Sequence, residues 1–179
     1  MATKTNAVRL VQQAGIPCRE AFYEFDEQDL SGVHAAQAIG MPEEQVFKTL
    51  VARGEKTGIN VFCIPVCCEL DLKKAAKAAG DKNMELVAVK ELLGLTGYIR
   101  GGCSPVGMKK HYPTFIDETC TLWDEIAVSA GARGHQMIVP PQRQRAIYRQ
   151  KKAEKRERAK ERMKAQEEKR RKNRQSGIT

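Results

Sequence analysis

The sequence has no run approaching the roughly 18 apolar residues that cross a bilayer. Its opening stretch, MATKTNAVRLVQQAG, has no continuous apolar core. A membrane span and a secretory signal are therefore not expected, and the chain is placed in the cytosol. Histidine is scarce. His34, His111 and His135 lie far in sequence from Cys63, Cys67 and Cys68, which themselves form no C-x-x-C pair. Without zinc-ligand spacing no metal is expected. Those three cysteines, with Cys18, Cys103 and Cys120, read as reduced thiols packed as small hydrophobes. The glycines have neither Walker nor dinucleotide-loop spacing. There is no internal repeat and no sustained heptad seam.

Hydrophobic residues make up 41% of the 179, enough for the core of one compact domain. Charged residues reach 30%, above the usual quarter, and the excess is uneven. Residues 143–174 hold 16 Lys and Arg against 5 Asp and Glu, a net of +11; the preceding 142 residues hold 15 against 17. The basic character belongs to the tail alone. Pro140 and Pro141 close the body, which divides the chain into a domain at 1–141 and a basic tail at 142–179. The tail has few large apolar residues (Ile147, Tyr148, Met163 and, near its end, Ile178) and reads as a solvated, partly helical or disordered arm. Its natural partner is phosphate-rich RNA.

Along the body, residues 6–14 have helical spacing and stop at Gly15, and 18–25 read as a strand. Ser31 caps a helix over Gly32–Ile39 that Gly40 ends, and Asp71 caps another over Leu72–Ala79 that Gly80 ends. Between them, strands at 46–53 and 59–66 flank a GEKTG hairpin connection. Short strands are expected at 85–89, 98–100, 114–117, 125–129 and 136–139. Helices scattered among strands, without regular alternation, predict an α+β fold with a mixed sheet.

Three segments carry chemistry. In VFKTLV, alternation puts Lys48 on the face of Val46 and Leu50. Such a lysine either snorkels its head to water or places a cation at a pocket wall, on a phosphate or an ester. GGCSPVG at 101–107 exposes backbone N–H groups suited to a carbonyl oxygen gaining charge in acyl transfer, though a plain tight turn has the same composition. VSAGARG at 128–134 again joins small residues to one cation. Cys103 and His111 match no nucleophile elbow or papain-like signature, so Cys103 reads as a packing residue.

Together VFKTLVA, CIPVCCELDLKKAAKAAG, TGYIRGGCSPVGMKK, PTFIDE and VSAGARG resemble, in order and spacing, the YbaK/EbsC family of Cys-tRNA deacylases. These are related to the editing insertion domain of bacterial prolyl-tRNA synthetases. The resemblance covers residues 8–139. It implies a barrel-like mixed sheet wrapped by helices and one substrate pocket with no cofactor. By it, Lys48 stands near the terminal adenosine and its ester, Tyr23 is a pocket tyrosine, and Gly101 opens a Gly-x-x-x-Pro loop ending at Pro105. Lys48, Gly101 and Tyr23 are the implied catalytic residues. Thr49, Gly102, Ser104, Pro105, Ser129 and Gly131 are the implied substrate contacts. Aminoacyl-tRNA is the implied substrate and prolyl-tRNA synthetase a candidate partner. In Cys-specific members the substrate's own thiol attacks its ester, giving tRNA and a thiolactone, so the protein need supply no nucleophile. This chain departs from the pattern at Cys103, where an aliphatic residue is common, and at Gln136, where an acidic one is.

Three other readings stay open at this level. One is an editing hydrolase for another small amino acid such as alanine, using a positioned water. A second is a tRNA- or ribosome-binding adapter in which the tail does the main work. The third is a thiol esterase built on Cys103.

Overall fold

The computed structural model describes residues 4–141. The expected basic arm at 142–179 lies outside them. The described part is α+β, with four helices and one mixed seven-stranded sheet. In chain order these are α1 (Asn6–Gln13), β1 (Arg19–Phe22), α2 (Gly32–Ile39), β2 (Val46–Gly54), β3 (Gly58–Pro65) and α3 (Leu72–Ala79). Then follow β4 (Met84–Leu86), α4 (Val89–Thr96), β5 (Thr114–Ile116), β6 (Ile126–Ala132) and β7 (His135–Val139).

The strand order is β1-β7-β6-β2-β3-β5, with β4 attached to β2 off that path. This is an open sheet rather than the barrel-like closure expected, because the path ends in two separate edge strands. Most pairs are antiparallel, while β2–β6 and β3–β5 are parallel. Strand β2 is central, and two strands share one of its edges. β6 pairs with Val46 and Phe47, and β4 pairs with Ala52, Arg53 and Gly54. Between these ladders the sheet forks, and the fork begins at Lys48.

Helix boundaries follow their caps. Ser31 Oγ accepts from His34 N at 3.1 Å, and Gly40 takes the left-handed conformation at φ 67°. Asp71 Oδ1 accepts from Lys73 N and Lys74 N, both at 3.0 Å. Each such cap contributes about 1 kcal/mol. α2 lays Ala36 and Val33 against Val46, Val66, Ala127 and Ile138 on one face of the sheet. α3 lays Ala75 and Ala76 against Ala52 and Phe62 on that same face. The opposite face packs Val51 and Val61 against Cys103, Tyr98 and Leu92. Fully burying side chains such as Phe47, Ile126 and Met137 contributes roughly 1.5–3 kcal/mol each.

The β2–β3 hairpin is tied from outside. Asp81 Oδ2 accepts from Lys56 N (2.9 Å), Thr57 N (2.8 Å) and Thr57 Oγ1 (2.8 Å). Desolvation opposes ionisation of this carboxyl, but the hydrogen bonds from Thr57 and Lys56 outweigh it and hold it well below the usual carboxylate range.

Two expected strands are corrected. Residues 98–100 are a turn, not a strand: Gly102 N donates to Ile99 O at 3.0 Å, and the Tyr98 hydroxyl donates to Val106 O at 2.7 Å. The strand expected at 85–89 stops at Leu86, and Val89 begins α4, a helix the sequence reading did not anticipate. Glu91 explains the switch. Its carboxylate accepts from Ala88 N at 3.3 Å and from Arg53 at 2.7 Å, so it both caps α4 and ties it to β2.

Candidate functional site

Register fixes which side chains share a face. Ser129 pairs with Gln136, and Gln136 with Ala21. Val46 pairs with Ala127 in parallel. Alternation from these pairs puts Lys48, Ser129 and Gln136 on the face that α2 covers. Tyr23, just past the end of β1, joins them. Its N–H donates to Gly134 O at 2.9 Å, and its ring meets that of His34 on α2 edge-on, centroids 6.2 Å apart.

Lys48 is half-buried, and its Nζ donates to the Val66 carbonyl at 3.3 Å. Among the described residues no carboxylate lies within salt-bridge distance of it. Its charge thus has no ion-pair partner among the described residues. Val66 also abuts the start of α2, where a Cβ added to Gly32 would overlap the Val66 side chain.

The glycine loop reaches the same end of α2. A Cβ on Gly101 would sit 3.2 Å from Leu30, the residue before the Ser31 cap. A Cβ on Gly102 would stand 3.0 Å from the backbone of both Ala132 and Arg133, where β6 ends. Arg133 Nε donates to Arg100 O at 3.1 Å and pins the loop from the other side. Gly131, at φ 98°, leaves room for the Tyr98 ring, 2.8 Å from where its Cβ would be. The loop is therefore wedged between the start of α2 and the end of β6. Its N–H groups divide: Gly102 donates to Ile99 O, whereas among the described residues no backbone carbonyl takes the N–H of Gly101, Cys103 or Ser104. Ser104 is fully buried, and its Oγ accepts from Val106 N at 3.3 Å. Pro105 is half-buried beside it.

Two residues fall outside this grouping. Thr49 points to the opposite face, with its Oγ1 4.0 Å from Cys63 Sγ. Cys103 packs there too, against Val51 and Val61. Burial pushes the Cys103 thiol up to about 11 despite a hydrogen bond from Thr96. Cys63 is pushed up to about 12, again chiefly by burial. Neither is a ready thiolate near neutral pH.

One group emerges only in three dimensions. Gln136 is 6% exposed, and its Oε1 is buried without a hydrogen-bond partner. An unsatisfied buried acceptor costs about 1–3 kcal/mol, and this one shares its face with Ser129 and Lys48. The resemblance marks Gln136 only as a departure from the family pattern, and residue spacing does not mark it at all, because its neighbours come from other strands. Gly131 N donates to Ser129 Oγ at 3.2 Å, at the bulge between Ser129 and Ala132. Among the described residues the assembled set offers a cation, small walls, a buried amide oxygen without a hydrogen-bond partner and three loop N–H groups that no backbone carbonyl takes. It suits binding and charge stabilisation better than nucleophilic attack by an enzyme side chain.

Residues 30–146 match the model of the aminoacyl-tRNA editing domain. The chain is 48% identical over 139 residues to EbsC of Enterococcus faecalis, described as a candidate Cys-tRNA(Pro)/Cys-tRNA(Cys) deacylase. The match covers 78% of this chain and 85% of that one. A solved structure described as a candidate trans-editing enzyme for prolyl-tRNA synthetase is 26% identical, with a TM-score of 0.66, covering 79% of this chain and 90% of the other. A second, of a hypothetical protein, is 21% identical with a TM-score of 0.70, covering 77% and 90%, and bears on the fold alone.

Proposed function

The chain belongs to the aminoacyl-tRNA editing domain family, and from that premise we propose that it is a free-standing deacylase that removes cysteine from mischarged tRNA, tRNA-Pro or tRNA-Cys. The substrate thiol attacks the ester carbonyl. The bond from carbonyl carbon to the ribose oxygen breaks, the thiol proton passes to that oxygen, and a thiolactone leaves. Lys48 holds the adenosine end and its ester. The N–H groups of Gly101, Cys103 and Ser104 stabilise the oxyanion, with Tyr23, Ser129 and Gly131 shaping the pocket. Orientation and preorganised donors supply the acceleration.

The observation that carries this reading is the pairing of Lys48, without a carboxylate partner, with thiols that burial keeps protonated. Among the described residues, the site has an electrophile's surroundings, and burial disfavours the thiolate of Cys63 and of Cys103. A cysteinyl ester brings its own nucleophile. A panel of Cys-tRNA, Ser-tRNA and Ala-tRNA tests it: cysteine should be released fastest, because a hydroxyl is the weaker nucleophile and alanine offers none. Equal rates on all three would replace the substrate thiol with a positioned water.

The tail at 142–179 is proposed as an RNA-phosphate arm, on its net of +11 over residues 143–174. Deleting it should weaken tRNA affinity and flatten the salt dependence. The chemical step on saturating substrate should stay unchanged, since uniform binding does not raise kcat. Matching salt slopes for the two chains would remove this role.

A further inference from the structure

Cys67 and Cys68 stand apart from the other four cysteines. Both are exposed, in the turn that follows β3, and their Sγ atoms lie 3.8 Å apart. Cys63, Cys103 and Cys120 are buried, and Cys18 is half-buried just before β1. The turn is held by Cys68 N donating to Pro65 O at 3.0 Å. It includes Val66, whose carbonyl accepts from Lys48.

Two geometries decide what such a pair can do. Adjacent residues have Cα atoms about 3.8 Å apart, below the roughly 4.4 Å minimum for an ordinary disulfide. Closing an S–S bond here would store strain and give a bond that is easily reduced. A bridging atom has no such difficulty. Two thiolates on one tetrahedral centre, each at ~2.3 Å, stand roughly 3.8 Å apart. A linear two-coordinate ion would need them about 4.6 Å apart at the same bond length. A tetrahedral metal needs further ligands, and no group of three or more His, Cys, Asp or Glu side chains is placed to hold one among the described residues. A pyramidal trivalent centre needs only two protein sulfurs, and its narrower angle draws them a few tenths of an ångström closer than 3.8 Å, a shift that two exposed side chains can make.

We propose that Cys67 and Cys68 form a dithiol clamp for trivalent thiophilic centres of the organoarsenical type, seated next to the Val66 anchor of Lys48. In the capture step a dihydroxyarsine loses both hydroxyl groups. Each As–O bond breaks, each thiol proton leaves with a hydroxide as water, and two As–S bonds form. Arsenic and sulfur keep their oxidation states. Desolvation, with Cys68 and Glu44 alongside, raises the Cys67 pKa. That favours condensation of a protonated thiol over oxidation through a thiolate. The second thiol closes the chelate intramolecularly, at an effective concentration in the millimolar range or above.

The consequence for activity rests on the proposed function: a ring closed over residues 67–68 stiffens the turn that positions the Val66 carbonyl, and turnover by the loaded protein should fall. The site itself is tested without any activity. The reduced full chain is mixed with phenylarsine oxide and read by intact mass and thiol titration. The expected result is one adduct per chain with the loss of two titratable thiols, reversed by a small dithiol but not by an equal concentration of monothiol. Cys67→Ser and Cys68→Ser should each weaken capture by about 10² or more, and Cys18→Ser should leave it unchanged. Retained capture in Cys67→Ser, loss of one thiol per adduct, or oxidation of the pair in place of capture would each overturn the clamp. Capture without any change in deacylation would remove only the coupling to Lys48.

Discussion

Lys48→Ala is expected to lose about 10²–10³-fold in single-turnover deacylation, a typical effect of removing one electrostatic contact near a reacting carbonyl. The thermal midpoint should barely move. Lys48 contributes a half-buried stem and one 3.3 Å hydrogen bond to Val66 O, and among the described residues it has no ion pair to lose. That combination separates a functional lysine from a snorkelling one. A packing lysine would show the reverse, with stability lost and turnover kept. Near-normal turnover in a folded Lys48→Ala chain would make Lys48 a sheet residue only.

Gly102→Ala is the second large effect. The added methyl would meet the backbone of Ala132 and Arg133 at 3.0 Å, and backbone atoms cannot swing aside as a flexible side chain can. The loop must move away from the end of β6, and the Gly101, Cys103 and Ser104 N–H groups move with it. A displacement near 1 Å in a positioning element can cost about 10² in rate. Gly94→Ala is the matched control. Gly94 lies inside α4 with nothing within 4 Å of an added Cβ. The change should stabilise the chain by up to about 1 kcal/mol and leave turnover alone. Deacylation by Gly102→Ala equal to that of Gly94→Ala would show that the loop's position does not matter to the chemistry.

Local signals made part of this architecture legible. α2 and α3 have the boundaries expected because Ser31, Asp71, Gly40 and Gly80 act within one turn of themselves. The β2–β3 hairpin was legible through its turn residues, with ends off by one residue. α4 was not, because its cap position is Ala88 and a glycine sits in its middle. Its start depends on Glu91 reaching Arg53, 38 residues away. Residues 98–100 look strand-like in isolation, yet the Tyr98 hydroxyl is committed to Val106 O and its ring covers Gly131. The sheet's openness depends on which strands pair, which no local pattern encodes.

The site divides the same way. Alternation alone puts Lys48 on the face of Val46, and the composition of 101–107 marks a loop of close approach. Thr49, adjacent in sequence, lies on the other face by that same alternation. Gln136 and Tyr23 reach the Lys48 face only through the β6–β7–β1 register. That Gln136 Oε1 is buried with no hydrogen-bond partner among the described residues is a property of packing that a sequence does not carry.

The central claim is that the substrate, not the protein, supplies the nucleophile. Single-turnover release from Cys-tRNA, Ser-tRNA and Ala-tRNA, each on a tRNA-Pro body, by the full chain and by Cys103→Ala tests it most directly. The predicted result is rapid release of cysteine as its thiolactone by both chains, with serine and alanine far slower. Loss of cysteine release in a folded Cys103→Ala chain, or equal release of all three amino acids, would contradict it.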